Sequence, residues 1–213
     1  MIEQEIIQGT EAWMRMRAGK ATASRFKDVL AKIKSGEAAT RRNYKTELVV
    51  QRLTNQIPES YTNTAMQWGT DHEEEARLAY EEYSCNLVEE VSFIDHPELM
   101  AGCSPDGLID HDGGLEIKNP YQTAIHIETL REGLPSGHIA QIQGSMWITG
   151  REWWDFVSYD SRLKDAGLAL YVQRVERDEQ YIQTLAQEVA DFLGEVDLMI
   201  ADLQTISKLR NAV

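Results

Sequence analysis

Two short stretches of this 213-residue chain carry residue types that can hydrolyse a phosphodiester: Ser104-Pro105-Asp106-Gly107 and Leu115-Glu116-Ile117-Lys118. On a strand the side chains alternate, so Glu116 and Lys118 share one face while Leu115 and Ile117 take the other. The turn residues Asp112-Gly113-Gly114 fold the preceding strand back. A register pairing residue 106 with residue 118 then sets Asp106 on the polar face, and a one-residue slip would not. Two carboxylates and one ammonium converge among apolar neighbours. Phosphodiester hydrolysis asks for that set: the attacking water must lose a proton, and the transition state gathers negative charge. Hard divalent cations held by carboxylate oxygens serve both needs, and magnesium suits oxygen ligands. A lysine beside them can stabilise the developing charge.

Either fragment alone would mean little, because Pro-Asp-Gly is a frequent turn and Glu-x-Lys is common on solvated strands. Their joint occurrence across one hairpin points to chemistry. A further carboxylate lies upstream in Trp68-Gly69-Thr70-Asp71-His72-Glu73-Glu74-Glu75. On a helix Glu73 shares the small, apolar side with Gly69, Ala76 and Tyr80, and an inward carboxylate wants a metal or a donor. Glu74 and Glu75 fit a run of acids at a helix start. Near the N-terminus, Arg17 has the planar fork that grips a terminal phosphate. Thr22 and Ser24 sit where a helix start would offer N–H groups to an anion, or where they serve simply as caps. Met146-Trp147 and Trp153-Trp154 have the character of core or subunit interface. His72, His111, His126 and His138 show no metal-ligand spacing.

The elements needed to position these residues follow from periodicity. Thr10 caps a short helix through Arg17, and Thr22 or Ser24 caps another ending near Lys34-Ser35-Gly36. Residues 40–54 and 63–84 form amphipathic helices. Residues 87–94, 105–110 and 114–119 have strand composition, with turn chemistry across 110–114. Helices over 122–131 and 136–148, strands over 153–159 and 168–176, and a closing helix from 178 complete an α/β architecture, a central mixed sheet flanked by helices. No repeat, low-complexity tract or linker interrupts the chain, so one domain over 1–213 is expected.

Composition bounds the partners. A hydrophobic fraction of 42% is ordinary for a globular fold. No apolar run approaches a membrane span, and Met1-Ile2-Glu3-Gln4-Glu5 lacks the pattern of a signal peptide. Cys85 and Cys103 are too few for a four-thiolate iron–sulfur site and are expected as reduced thiols in a cytoplasmic protein. The net charge of −14 argues against nucleic acid, yet residues 1–55 carry +5 and the remainder −19. That basic quarter, with Lys32 and Lys34 among its candidate DNA contacts, permits a DNA partner; it is also compatible with ordinary solvated helix faces.

With Asp106, Glu116 and Lys118 in place, the sequence resembles the lambda-exonuclease or YqaJ-like viral alkaline exonuclease family. The resemblance is carried by Ala12-Trp13 with Arg17, Thr22-Ala23-Ser24, Trp68-Gly69 with Glu73, Cys103-Ser104-Pro105-Asp106-Gly107-Leu108 and Gly114-Leu115-Glu116-Ile117-Lys118. It continues through Ala140-Gln141-Ile142-Gln143, Ser145-Met146-Trp147, Tyr159-Asp160 with Arg162, Gly167-Leu168 and Glu176-Arg177-Asp178-Glu179. It implies a restriction-endonuclease-like PD-(D/E)xK fold and degradation of one strand of duplex DNA from its 5′ end. Two magnesium ions, for which manganese can substitute, are implied, as is a toroidal homotrimer around DNA ends. Asp106, Glu116 and the backbone carbonyl of Ile117 are then the metal ligands, Lys118 the catalytic lysine, Glu73 the helix-borne acid and Gln141 the active-site glutamine. Arg17, Thr22, Ser24 and Ser104 form the 5′-phosphate pocket, and Met66 stands where the family has a strand-separating leucine. By analogy the partner is a phage single-strand annealing protein, inside a bacterial host. Ser145 departs from the tyrosine of related RecB-type nucleases. The rival readings are a PD-(D/E)xK nuclease cutting internally and a non-catalytic DNA-end-binding scaffold; retention of all three active-site residues speaks against the scaffold.

Overall fold

The structure, a computed structural model, describes residues 6–57 and 63–211. The chain opens with α1 (Glu11–Arg17), capped as expected by Thr10, whose hydroxyl accepts from the Trp13 N–H at 3.4 Å. The second helix differs from expectation. Thr22 belongs to a two-residue strand, β1 (Ala21–Thr22), and makes no capping hydrogen bond. A 3-10 turn leads into a single short turn of helix, α2 (Phe26–Val29). The helical signal up to Lys34 is not used, because Phe26 and Val29 are already buried and the chain must turn to reach α3 (Ala39–Thr54). The long helix expected over 63–84 is two, α4 (Thr64–Asp71) and α5 (Glu73–Ser84), with an elbow at His72 (φ −109°, ψ 1°).

Then come β2 (Ile94–Asp95), β3 (Ala101–Cys103), β4 (Gly107–Ile109) and β5 (Gly113–Lys118). The strand expected over 87–94 reduces to a single bridge, Glu89 to Leu108, before β2. The helix α6 (Thr123–Glu132), the helix α7 (Ile139–Thr149), the strands β6 (Trp153–Tyr159) and β7 (Leu170–Glu176), and the helix α8 (Glu179–Asn211) finish the chain. A 3-10 segment, Ser161–Ala166, joins β6 to β7. The strands form two sheets, ordered β1-β3-β2 and β4-β5-β6-β7, where one central sheet was expected. Both mix parallel and antiparallel pairs: β1 with β3 and β5 with β6 are parallel, the rest antiparallel.

The hairpin that holds Asp106, Glu116 and Lys118 is built differently from its expected register. Gly107 pairs with Leu115, so the ladder sets Asp106 across from Glu116 rather than from Lys118. That is a shift of two residues, which keeps every side chain on its expected face. Gly113 and Gly114 are strand residues, not turn residues. A Cβ on Gly113 would lie 2.1 Å from the Trp153 ring, and one on Gly114 2.3 Å from the Trp154 ring. The glycine pair lets two indoles of β6 lie flat on β5, and the turn itself is Asp110-His111-Asp112, with Asp110 at φ 46°. Trp154 and Met146 are wholly buried between α7 and the larger sheet. A second core joins α2, α3, α7 and α8 through Phe26, Tyr44, Leu48 and Phe192.

Candidate active site

Strand β5 brings Glu116 and Lys118 to one face, where Glu116 is buried and Lys118 half-buried. The Lys118 ammonium bonds Glu116 Oε1, and Gln141 Nε2, from the first turn of α7, donates to the same oxygen at 2.7 Å. Oε2 of Glu116 is buried and without a donor among the described residues. Asp106 turns its Oδ2 onto the backbone N–H of Ile117 at 2.6 Å. In a strand one residue's N–H and C=O point to the same edge, so the Ile117 carbonyl projects on the side of Asp106. Glu73, the first residue of α5, lies on that helix's inner face with the buried Ala76 and Tyr80, and is half-buried. Its charge is felt by both Asp106 and Lys118. Glu75 instead pairs with Lys164, outside the cluster.

The electrostatics are those of an over-acid cleft. Burial, with Glu116 alongside, pushes the Asp106 carboxyl well above its ordinary range. Burial also raises Glu73. Burial works against the Lys118 ammonium, but Glu116, Asp106 and Glu73 outweigh it and hold the lysine above its usual value. Carboxyl oxygens crowd one ammonium, and a buried carboxylate oxygen has no partner among the described residues. Such a set fits a hard divalent cation, whose ligands would be Asp106, Glu116 and the Ile117 carbonyl. Among the described residues no three His, Cys, Asp or Glu side chains, those of the cleft included, are grouped so as to hold a metal by themselves, so a cation here would rest on two carboxylates and a backbone carbonyl.

A second constellation adjoins the first. The Arg17 guanidinium donates to Ser104 Oγ at 2.8 Å. It also lies over the Trp13 ring at 4.2 Å and, farther off, the Phe93 ring at 5.9 Å, and the Trp13 indole N–H itself donates to Ser104 Oγ (3.0 Å) and to the Ser92 carbonyl (2.9 Å). No carboxylate pairs with Arg17 among the described residues, and burial pulls its guanidinium below the ordinary value. Arg17, Lys20, Thr22, Ser24 and Arg25 line one cavity of about 240 Å³. Thr22 Oγ1 and Ser24 Oγ lie 3.4 Å apart. Trp13 is the residue to which the sequence assigns no role. Its signal is the (i, i+4) spacing to Arg17, which stacks indole on guanidinium along α1. His138 is the other, stacked on Phe156 at 5.4 Å and held at about 4 by burial, with Lys118 and Lys27 adding to the effect.

The remaining candidates lie farther out. Met66 is exposed on α4, a helix with no buried residue. Lys32 is paired with Glu188 at 2.7 Å, beside the ion-pair cluster of Arg41, Lys45, Glu37 and Glu195, while Lys34 is exposed.

The fold and the acid–lysine cleft are those of a PD-(D/E)xK nuclease, and comparison with known proteins agrees. The family model for the YqaJ-like viral recombinase domain matches residues 12–152. The structure superposes on an alkaline exonuclease of Laribacter hongkongensis, LHK-Exo, with a TM-score of 0.85 and 44% identity, over 94% of this chain and all of that one. LHK-Exo in complex with dAMP matches equally, with a TM-score of 0.86. A phage-related exonuclease of Haemophilus somnus, 16% identical over 86% of this chain and 96% of that one, shares the fold (TM-score 0.69). A putative uncharacterized protein of Escherichia coli, ExoD, is 36% identical over 72 residues, 34% of this chain and 80% of that one. The chain belongs to the YqaJ-like viral recombinase family, and it is a nuclease with the restriction-endonuclease-like fold.

Proposed function

We propose that this nuclease is a magnesium-dependent 5′-to-3′ deoxyribonuclease. It degrades one strand of linear duplex DNA from a 5′-phosphorylated end and leaves a 3′ single strand for recombination by annealing. The observation that supports this most is the junction of the two constellations at residues 104–106. Ser104 is bonded to Arg17, and Asp106 stands in the acid cleft. Two residues span at most about 7 Å, comparable with the step from one phosphate to the next along a strand. A terminal phosphate at Arg17 and Ser104 would therefore present the next phosphodiester to Asp106, Glu116 and Lys118. Release of one nucleoside 5′-monophosphate at a time is consistent with the dAMP bound by LHK-Exo.

Each side chain has a part. Arg17 and Ser104, with Thr22 and Ser24 beside them, bind the terminal phosphate and set the register. Bound magnesium, taken as two ions with manganese able to replace them, would polarise the scissile phosphate and make the attacking water more acidic. Lys118, fixed by Glu116, faces the charge that develops on the phosphoryl oxygens. Gln141 holds the other side of Glu116 Oε1, and Glu73 adds an oxygen that can orient water in the cleft. Met66, exposed on α4, would touch bases as strands part, an adaptable side chain for that task. A ring of three copies around the duplex, a phage annealing protein as partner, and a phage or prophage origin in a bacterial cytoplasm complete the proposal. Among the described residues no helix is long and apolar enough to cross a membrane.

The test is digestion of linear duplex with a 5′-phosphate or a 5′-hydroxyl, beside a closed circle, in magnesium, calcium or chelator. Magnesium should support loss of the phosphorylated linear strand alone, with the circle intact. A nicked or linearised circle would favour an internal cutter, and equal rates on both ends would detach the Arg17 pocket from end recognition.

A further inference from the structure

Helix α4 buries none of its residues, yet it carries the exposed Met66 and leads through the His72 elbow into Glu73. Something other than a hydrophobic face must hold it. The Trp68 indole N–H is buried without an acceptor among the described residues, so the ring is held by its faces. One face carries the His72 imidazole, with centroids 3.8 Å apart and planes at 25°. The Arg162 guanidinium lies over the ring as well, 4.5 Å from its centroid. Tyr121 meets the ring edge-on at 6.0 Å. A ring enclosed in this way cannot stack on a base; it acts as a bolt.

Arg162 is the other half of that bolt. Its Nε and Nη2 fork onto the buried carboxylate of Asp160 at 2.7 and 2.8 Å. Its Nη1 and Nη2 also donate to the carbonyls of Tyr121 (3.0 Å) and Pro120 (3.1 Å). Those carbonyls lie just after Lys118, and Asn119 between them donates to the Gly69 carbonyl of α4 at 3.0 Å. The segment directly after the catalytic lysine is thus tied to the segment directly before Glu73. We infer that Arg162 is a positioning residue for cleavage: it sets Glu73 and α4 against the exit of β5 through Trp68 and the carbonyls of residues 120 and 121. The inference rests on the reading that Glu73 acts in the cleft. Only a planar fork can serve carboxylate, two carbonyls and a ring face together, and an ammonium cannot.

Single-turnover cleavage of 5′-phosphorylated linear duplex, with thermal midpoints and duplex affinity in calcium, tests this on R162K, R162A, E73Q and R162K/E73Q. R162K leaves a cation beside Asp160, so its midpoint and affinity should stay near the parent's while the cleavage rate falls on the order of tenfold. R162A should lose more rate and some stability, because it strands a buried carboxylate. In the E73Q background R162K should add no more than about a twofold loss, since the group it positions is already disabled. Full multiplication of the two losses, or an unchanged R162K rate, would overturn the inference while leaving Glu73 in place. E73Q cleaving at the parent rate would remove Glu73 from the cleft and the inference with it.

Discussion

The acid cleft and the Arg17 pocket share residues 104–106, yet they handle charge in opposite ways. In the cleft, Asp106, Glu116 and Glu73 surround the Lys118 ammonium, and one buried oxygen of Glu116 finds no donor among the described residues. In the pocket, the Arg17 guanidinium is backed by an indole and a serine hydroxyl, with no carboxylate paired to it among the described residues. The cleft lacks a cation; in the pocket Glu47 is engaged by Arg25, and it is Arg17 that lacks an anion. Elsewhere the same residue types close on themselves. Arg41 and Lys45 of α3 both bond Glu37 and Glu195, at 2.7–2.8 Å, and that cluster is complete without a ligand. The contrast teaches that an incomplete charge set, rather than an abundance of charge, marks where a ligand belongs.

The largest effect should come from breaking the cleft. K118A removes the cation drawn into the carboxyl cluster and should lower single-turnover cleavage by about a thousandfold or more, the scale of losing a principal electrostatic stabiliser. Duplex affinity in calcium should change little. If binding collapsed with cleavage, Lys118 would be a substrate anchor and the division between cleft and pocket would fail. R17A should act on the pocket alone. It should weaken the preference for 5′-phosphorylated over 5′-hydroxyl ends by about 1–3 kcal/mol, the range for a charge-assisted hydrogen bond. W13F, which keeps the ring but loses the donor to Ser104, should do so by less. Equal damage to both substrates would make Arg17 a structural residue.

The two regions are not equally legible in the sequence. The cleft is, because period-two alternation fixes the faces of Glu116 and Lys118, and a two-residue error in register leaves those faces unchanged. Glu73 is placed inward by its spacing to Ala76 and Tyr80, both buried in the structure. The Arg17 anchor is visible only as a residue type: its partner Ser104 is 87 residues away, and its stacking on Trp13 emerges only in the structure. The glycine pair at 113–114 has the composition of a turn but is strand, since its cause is a parallel neighbour, β6, from another part of the chain. Strand β3 is hidden because Ala101-Gly102-Cys103 has little strand composition; Phe93 and the Ile94 carbonyl close over Gly102 and leave no room for a side chain.

The closed cluster supplies a control. Arg41 above all, then Lys45, hold the Glu195 carboxyl at about 2, below its ordinary 4.5. A depressed carboxyl contributes stability that is fully present above the ordinary value and is lost as pH falls toward the folded one. The parent should therefore lose stability between about pH 4.5 and pH 2. E195Q should flatten that acid limb, followed by tryptophan fluorescence, and leave cleavage at neutral pH unchanged. A fall in cleavage would show that the α3–α8 cluster is not independent of the pocket.

The smallest expected effect concerns the basic quarter as a whole. Of its eleven Lys and Arg residues, seven are in ion pairs: Arg15, Lys20, Arg25, Lys32, Arg41, Lys45 and Arg52. Arg17, Lys27, Lys34 and Arg42 carry no ion pair among the described residues. A lysine held by Glu188, as Lys32 is, must break that pair before it can neutralise a phosphate. Lys27 is better placed, because its charge, like that of Lys118, bears on His138. Each phosphate deprived of its cation should reduce the slope of log affinity against log salt by about 0.9. With catalysis silenced in calcium and the duplex ends blocked, K27A should show a reduction of that order, K34A the same or less, and K32A the least. A larger change for K32A than for K27A would place the duplex along the α2–α8 edge rather than over the mouth of the cleft. Unpaired charge would then have failed as a guide to where DNA lies.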